Sequence, residues 1–193
     1  DGAATITLDG NINPTSFNFS NTGDQVLNLN DGYTNATTVT ISGDGGGDTV
    51  VNSANVTLTV TGYVGDFLSG TTLTGGTGTD TLSMLNAVDG QAAALTGNTT
   101  GFESIIITDV TAGADATLVT GAYNLGVGKT YTITASSLDA GEDFTLTGTA
   151  SVSAFNAVTG AGVDTVTLGT AADTLDAGSG HDVIVGTAGN NLI

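Results

Sequence analysis

Hydrophobic and polar residues alternate along most of this chain. Thr5-Ile6-Thr7-Leu8, Ser16-Phe17-Asn18-Phe19, Val26-Leu27-Asn28-Leu29, Thr38-Val39-Thr40-Ile41 and Val56-Thr57-Leu58-Thr59-Val60 repeat with period two. So do Thr81-Leu82-Ser83-Met84, Ser104-Ile105-Ile106-Ile107, Thr130-Tyr131-Thr132-Ile133 and Phe144-Thr145-Leu146-Thr147. Their β-branched and aromatic residues suit a pleated, half-buried surface. Gly, Asn or Asp bounds each run, which predicts many short strands separated by turns. Only Ala87–Leu95, with its run Ala92-Ala93-Ala94 and with Gly90 and Gly97 about it, has the composition of a short helix. Short strands at quasi-regular spacing fit either a β-solenoid or a β-sandwich.

The pattern tightens after Thr159. Broken every nine residues, the sixth position reads Asp164, Asp173, Asp182, Asn191, and the eighth reads Val166, Leu175, Ile184, Ile193. Glycine fills the second or fourth position of every unit, as at Gly160, Gly162, Gly178 and Gly180. Glycines permit a sharp turn over the first six residues. Such a turn aims carbonyl oxygens inward and the sixth residue adds a carboxylate, together a set of hard oxygen donors suited to calcium. The last three residues form a short strand with one aliphatic side chain in the core. Two units close one coil, so residues eighteen apart stack on rungs about 4.8 Å apart. Asp164 is then expected over Asp182, and Asp173 over Asn191. Two bare carboxylates at that spacing repel by about 1 kcal/mol in a water-like dielectric, and by several-fold more when partly buried. A divalent cation between them reverses the sign. The pair Asp173/Asn191 is expected to be the weaker, because Ala171 replaces a glycine and Asn191 an aspartate.

The four units resemble the hemolysin-type calcium-binding nonapeptide G-G-x-G-x-D-x-U-x, where U is a large aliphatic residue. Two upstream loops have the same form. Gly75-Gly76-Thr77-Gly78-Thr79-Asp80-Thr81-Leu82 matches it throughout, and Gly43-Asp44-Gly45-Gly46-Gly47-Asp48-Thr49-Val50 matches with Asp44 at the second position. The metal candidates are therefore Asp164, Asp182, Asp173, Asn191, Asp80, Asp44 and Asp48, with the turn glycines Gly160, Gly162, Gly178, Gly180, Gly76 and Gly78. The two upstream loops are too far apart along the chain for tandem nonapeptides, though longer rungs can bring them onto neighbouring coils.

Charge narrows the partners. The net charge is −18, with Lys129 the one lysine, no arginine and His181 the one histidine. The chain is nevertheless 39% hydrophobic, so it folds, and a divalent cation is the obvious means of relieving its self-repulsion. Nucleic acid is excluded, since phosphate binding needs cations this chain lacks. An anionic membrane surface is disfavoured for the same reason, and no apolar run approaches the length of a membrane span. No cysteine is present, so disulfides and thiolate chemistry are impossible. His181 stands at the variable fifth position of a repeat, the place of a solvent-facing loop residue. There is no nucleophile elbow, no zinc-type histidine cluster and no phosphate loop. The 19 acids give no reason to select one catalytic pair. The chain is read as non-enzymatic.

Two looser stretches, Gly101-Phe102-Glu103-Ser104-Ile105-Ile106-Ile107 and Ile133-Thr134-Ala135-Ser136-Ser137-Leu138, are similar to segments of large bacterial surface-layer proteins of the repeats-in-toxin type. That resemblance implies export of an unfolded chain by a one-step (type I) route, folding on external calcium, and residence at the bacterial cell surface. The expected fold is all-β: a right-handed parallel β-solenoid, irregular over residues 1–158 with isolated calcium-type loops, ending in a calcium-binding β-roll over 159–193. A β-sandwich over residues 1 to about 100 followed by a roll is the runner-up. The sequence reads as a fragment of a longer chain, with room for an export signal or anchor outside it. The expected role is a calcium-stapled structural segment that self-associates through calcium, with cell-surface polysaccharide as a second partner. A calcium-dependent adhesin module and the secretion region of an exoenzyme are the alternatives. The Thr-x-Thr motifs raise ice binding as a minor one, set aside because their spacing along the chain is irregular.

Overall fold

The computed structural model describes residues 3–193 except 11–13, 21–22, 43–46, 55, 68–69, 122, 124, 127, 150 and 187. Eighteen strands follow one another along the described chain. The first six alternate between two sheets: β1 (Ala4–Leu8), β2 (Ser16–Phe19), β3 (Gln25–Leu29), β4 (Thr37–Ile41), β5 (Thr49–Asn52) and β6 (Leu58–Tyr63). A single 3₁₀ turn, Val64–Asp66, comes next. The middle six visit three sheets: β7 (Thr72–Thr74), β8 (Thr81–Asn86), β9 (Gln91–Ala94), β10 (Thr99–Thr100), β11 (Ser104–Asp109) and β12 (Ala116–Val119). The last six alternate between two again: β13 (Thr130–Thr134), β14 (Phe144–Thr147), β15 (Ala154–Val158), β16 (Thr165–Thr167), β17 (Thr174–Asp176) and β18 (Val183–Val185).

Every strand pairing among the described residues is parallel, and each joins a strand to its counterpart one coil later. The chain is therefore a β-solenoid. The β-sandwich alternative fails, because sandwiches are built from antiparallel neighbours. One sheet of eight strands, in the order β2-β4-β6-β8-β11-β13-β15-β17, forms a continuous spine. A five-stranded N-terminal wall, β1-β3-β5-β7-β10, faces it over the first half of the molecule. A five-stranded C-terminal wall, β9-β12-β14-β16-β18, replaces the first wall over the second half. The exposed start of the C-terminal wall is covered by the 3₁₀ turn: the Phe67 carbonyl just after it accepts the Ala94 N–H of β9 at 3.0 Å.

Coil length varies and then settles. The step along the chain from Thr37 to its partner Leu58 is shorter than the step from Ser104 to its partner Thr132. Asn156 to Thr174 and Thr165 to Val183 then take the same, shortest step, two nonapeptides long. The extra residues of the longer coils fall in turns, so strand register survives.

That register stacks like on like. Down the inner face of the spine run Phe17, Val39, Val60, Leu82, Ile105, Ile133, Ala157 and Leu175, each paired with the next. Ala93, Leu118, Leu146, Val166 and Ile184 do the same in the C-terminal wall. The alanine run is thus strand, not helix: Ala93 is fully buried in its column, and Gly90, at φ +71°, turns the chain into β9. Aromatic rings fill the wider coils. Tyr131 meets Tyr123 edge-on with centroids 5.2 Å apart and lies 5.8 Å from Phe155, all three fully buried. Phe155→Ala should cost about 3–5 kcal/mol, while Val163→Ala, at a half-exposed turn position, should stay within about 0.5 kcal/mol; urea denaturation in calcium checks both.

Candidate metal centre

The nonapeptide turns occupy two corners of the solenoid. Residues 159–164 and 177–182 lead from the spine into the C-terminal wall, and residues 168–173 and 188–191 lead back. The pairing of Thr165 with Val183 sets Asp164 over Asp182, and the Thr174–Leu192 bridge sets Asp173 over Asn191. Glycine makes this stacking feasible. Gly178 holds φ +72°, and a Cβ there would fall on the Gly160 carbonyl oxygen. Gly180 meets the Gly162 carbonyl in the same way. Two main-chain oxygens thus lie between the stacked turns, beside the aspartates.

Each sixth-position side chain reaches back one rung to a backbone N–H. Asp182 Oδ1 accepts from Asp164 N–H at 3.0 Å, and Asp164 Oδ1 from Phe144 N–H at 2.9 Å. Asn191 Oδ1 accepts from Asp173 N–H at 3.0 Å. Asp173 differs, since Oδ1 takes Phe155 N–H at 3.1 Å and Oδ2 takes Gly169 N–H at 2.8 Å. Burial pushes the Asp173 carboxyl up from its usual range, and those two N–H groups pull it back. Asp164 is fully buried with Oδ2 lacking any partner, whereas both oxygens of Asp173 are engaged. The two corners are therefore chemically unequal. His181 is exposed, as its place in the repeat implied.

The upstream turn at Gly75–Asp80 leads from the N-terminal wall into the spine. Asp80 is fully buried; its Oδ1 accepts Leu58 N–H at 2.7 Å, and Oδ2 has no partner. Burial raises its pKa to about 6, with Leu58 N–H opposing and the Glu103 charge adding to the rise. The preceding coil brings Asn52, which lies outside the nonapeptide pattern, against this turn. Asn52 is buried with Oδ1 unpartnered, while its Nδ2 donates to the Val56 and Gly75 carbonyls. A Cβ on Gly76, which holds φ +97°, would stand 2.5 Å from the Asn52 carbonyl, and one on Gly78 would stand 2.7 Å from that of Val56. The sequence does hold a signal for Asn52: it falls on the inward phase of β5, two residues after the buried Val50.

Asp48 heads β5 in the N-terminal wall, where its Oδ1 accepts Gln25 N–H at 3.0 Å. Its carboxyl is raised by burial, lowered by that N–H, and raised further by Asp24. Asp24 in turn accepts Gly47 N–H at 2.9 Å. Asp44 lies outside the described residues. Asp48 and Asp80 stand at opposite corners, so these two acids do not share one site.

The family model for the RTX calcium-binding nonapeptide repeat matches residues 158–193 in four copies. Residues 158–193 of the chain are therefore RTX repeats. No curated protein and no solved structure matches the chain. RTX repeats bind calcium, and the turns suit that ion: their donors are carboxylate, amide and carbonyl oxygens, which calcium takes in sets of six to eight. Among the described residues no three His, Cys, Asp or Glu side chains gather as a side-chain metal cluster would. An RTX turn brings one carboxylate per unit, and main-chain carbonyls make up the remaining oxygens. The buried, unpartnered oxygens of Asp164 and Asp80 are where a cation is most needed, since a buried carboxylate oxygen without a partner is costly.

Asp182→Ala should weaken calcium binding by about tenfold or more, roughly 1.4 kcal/mol. Asp176→Ala should change it little, because Asp176 is an exposed ninth-position residue whose Oδ1 accepts Gly178 N–H. Asn191→Asp should tighten binding by restoring a charge. Isothermal titration with calcium reads all three, and equal effects at 182 and 176 would refute the register. Asp80 gives a test without metal. Its folded pKa stands above the ordinary 3.8, so folding disfavours its charged form. The resulting penalty is absent below that value and complete above about pH 6. Asp80→Asn, which keeps an acceptor for Leu58 N–H, should therefore raise the melting temperature in chelator at pH 7 and lose that advantage near pH 4.

Proposed function

We propose that this RTX segment is a calcium-stapled structural element of an exported bacterial protein. It resides at the cell surface as part of a surface-layer-like assembly, reached by type I secretion of the unfolded chain. The observation that carries the reading is the spine: eight parallel strands in unbroken register, with acid-bearing turns stacked at the corners. A rod of this kind supplies extent and stiffness, and the role we assign to it is structural rather than enzymatic. RTX repeat proteins are generally secreted, which agrees with an extracellular location.

The calcium ligands we assign are Asp164, Asp182, Asp173 and Asn191 with the turn carbonyls at Gly160, Gly162, Gly178 and Gly180, and Asp80 with the Gly76–Gly78 turn and Asn52. Asp48 and Asp44 are assigned to a further loop. Self-association follows from the same chemistry. A molecule with net charge −18 repels its copies until a divalent ion bridges carboxylates from two of them. Cell-surface polysaccharide is the second partner.

Chelation should lower the melting temperature and reduce far-UV circular dichroism, since binding to the native state contributes about 2.7 kcal/mol per site at a hundredfold excess over Kd. Millimolar calcium should drive ordered association, seen by light scattering and electron microscopy. Magnesium should substitute poorly, because it demands a tighter octahedron and keeps its waters. A chain that stays monomeric at high calcium would replace the surface-layer reading with the adhesin or exoenzyme one.

A further inference from the structure

The Thr-x-Thr motifs are irregularly spaced in sequence but regular in space. Strand register places Ser16, Thr38, Thr59, Thr81, Ser104, Thr132, Asn156 and Thr174 in one column on the outer face of the spine. A second column, two residues on, contains Asn18, Thr40, Thr61, Ser83, Ile106, Thr134, Val158 and Asp176. The first column is entirely hydroxyl or amide. The second is interrupted by Ile106, Val158 and the terminal Asp176. Neighbouring rungs stand about 4.8 Å apart, and residues i and i+2 of one strand about 6.6 Å apart. The result is a two-dimensional grid of hydroxyls and methyls. Among these column residues Thr132 alone spends its side-chain hydroxyl within the chain, donating to the Glu103 carbonyl at 3.3 Å.

The face is also neutral. Of 19 acids in the chain, Asp176 on the last rung is the one that falls in these columns. The rest of the molecule's charge lies elsewhere, much of it at the turns. This argues against an ionic partner. It also argues against an ordinary protein interface, which relies on buried aromatic or Arg anchors, because the two columns hold none and the exposed aromatic beside them, Tyr63, stands at the end of β6. A partner matching this face is uncharged, planar and itself a periodic array of hydroxyl oxygens. We propose that the outer face of the spine binds ice, its Thr and Ser hydroxyls and the methyls between them seating an ordered layer of water that merges with the crystal surface. The solenoid holds the grid rigid before contact, so little ordering cost is left for binding.

The test is incorporation into a slowly growing ice hemisphere, using the calcium-loaded chain carrying a fluorescent label. The wild type should enter the ice, whereas a protein that does not bind ice is swept into the liquid. Thr38→Tyr and, on a distant rung, Asn156→Lys should each abolish incorporation with unchanged circular dichroism and melting temperature. Thr165→Tyr, on the outer face of the C-terminal wall, should leave it intact. Exclusion of the wild type overturns the proposal. Incorporation of both face variants overturns it too, since another surface would then be responsible. Retention on crystalline cellulose combined with exclusion from ice would also overturn it, in favour of a polysaccharide lattice.

Discussion

Everything in this molecule rests on the hydrogen bonds that run from one coil to the next. They fix the rung spacing at about 4.8 Å and stack inward side chains on inward and outward on outward. Aliphatic residues stacked this way make the core columns of the spine and walls. The same rule sets carboxylate above carboxylate at the corners, where it is unfavourable. The chain answers in two ways. Each sixth-position acid accepts an N–H from the preceding rung, and the oxygens left over are the ones we assign to calcium. Asp173, with both oxygens engaged, and Asp164, with one unpartnered, mark the two ends of that range.

Much of this architecture was legible in the sequence, and what was not has a physical cause. The period-two runs gave the strands, because inward and outward phases carry opposite chemistry. The nonapeptides gave the corner stacks, because with two units to every coil the register needs no further information. Ala87–Leu95 read as helix because alanine carries little β signal; the pairing of Ala93 with Leu118 decides it instead. The sandwich alternative arose because alternation does not distinguish parallel from antiparallel partners. Asn52 stands outside the pattern because its turn has neither the glycines nor the aspartate of the motif, and its partner Gly75 lies a full coil further along the chain. The regular outer grid was hidden for a related reason: insertions collect in the turns, so distances along the chain misrepresent distances along the axis.

The turns and strands therefore divide the work. Strands carry shape and are nearly free of charge on the spine's outer face. Turns carry most of the acids and absorb the changes in coil length, from the long coil between Ser104 and Thr132 to the short one between Thr165 and Val183. Burial raises the carboxyls of Asp48, Asp80 and Asp173 alike, so the cost of placing charge at a corner is shared along the molecule rather than confined to the tandem repeats.

The exchange of one wall for the other has a mechanical consequence. The N-terminal wall ends at β10 and the C-terminal wall begins at β9, so the coils β7-β8-β9 and β10-β11-β12 are joined through all three sheets. The arrangement is a lap joint. On either side of it, successive coils are held by two ladders, and at the changeover by three. A pull along the axis never falls on a single ladder of hydrogen bonds. The place where the architecture changes is thus its best-spliced cross-section, and rupture under load should start among the short terminal coils instead.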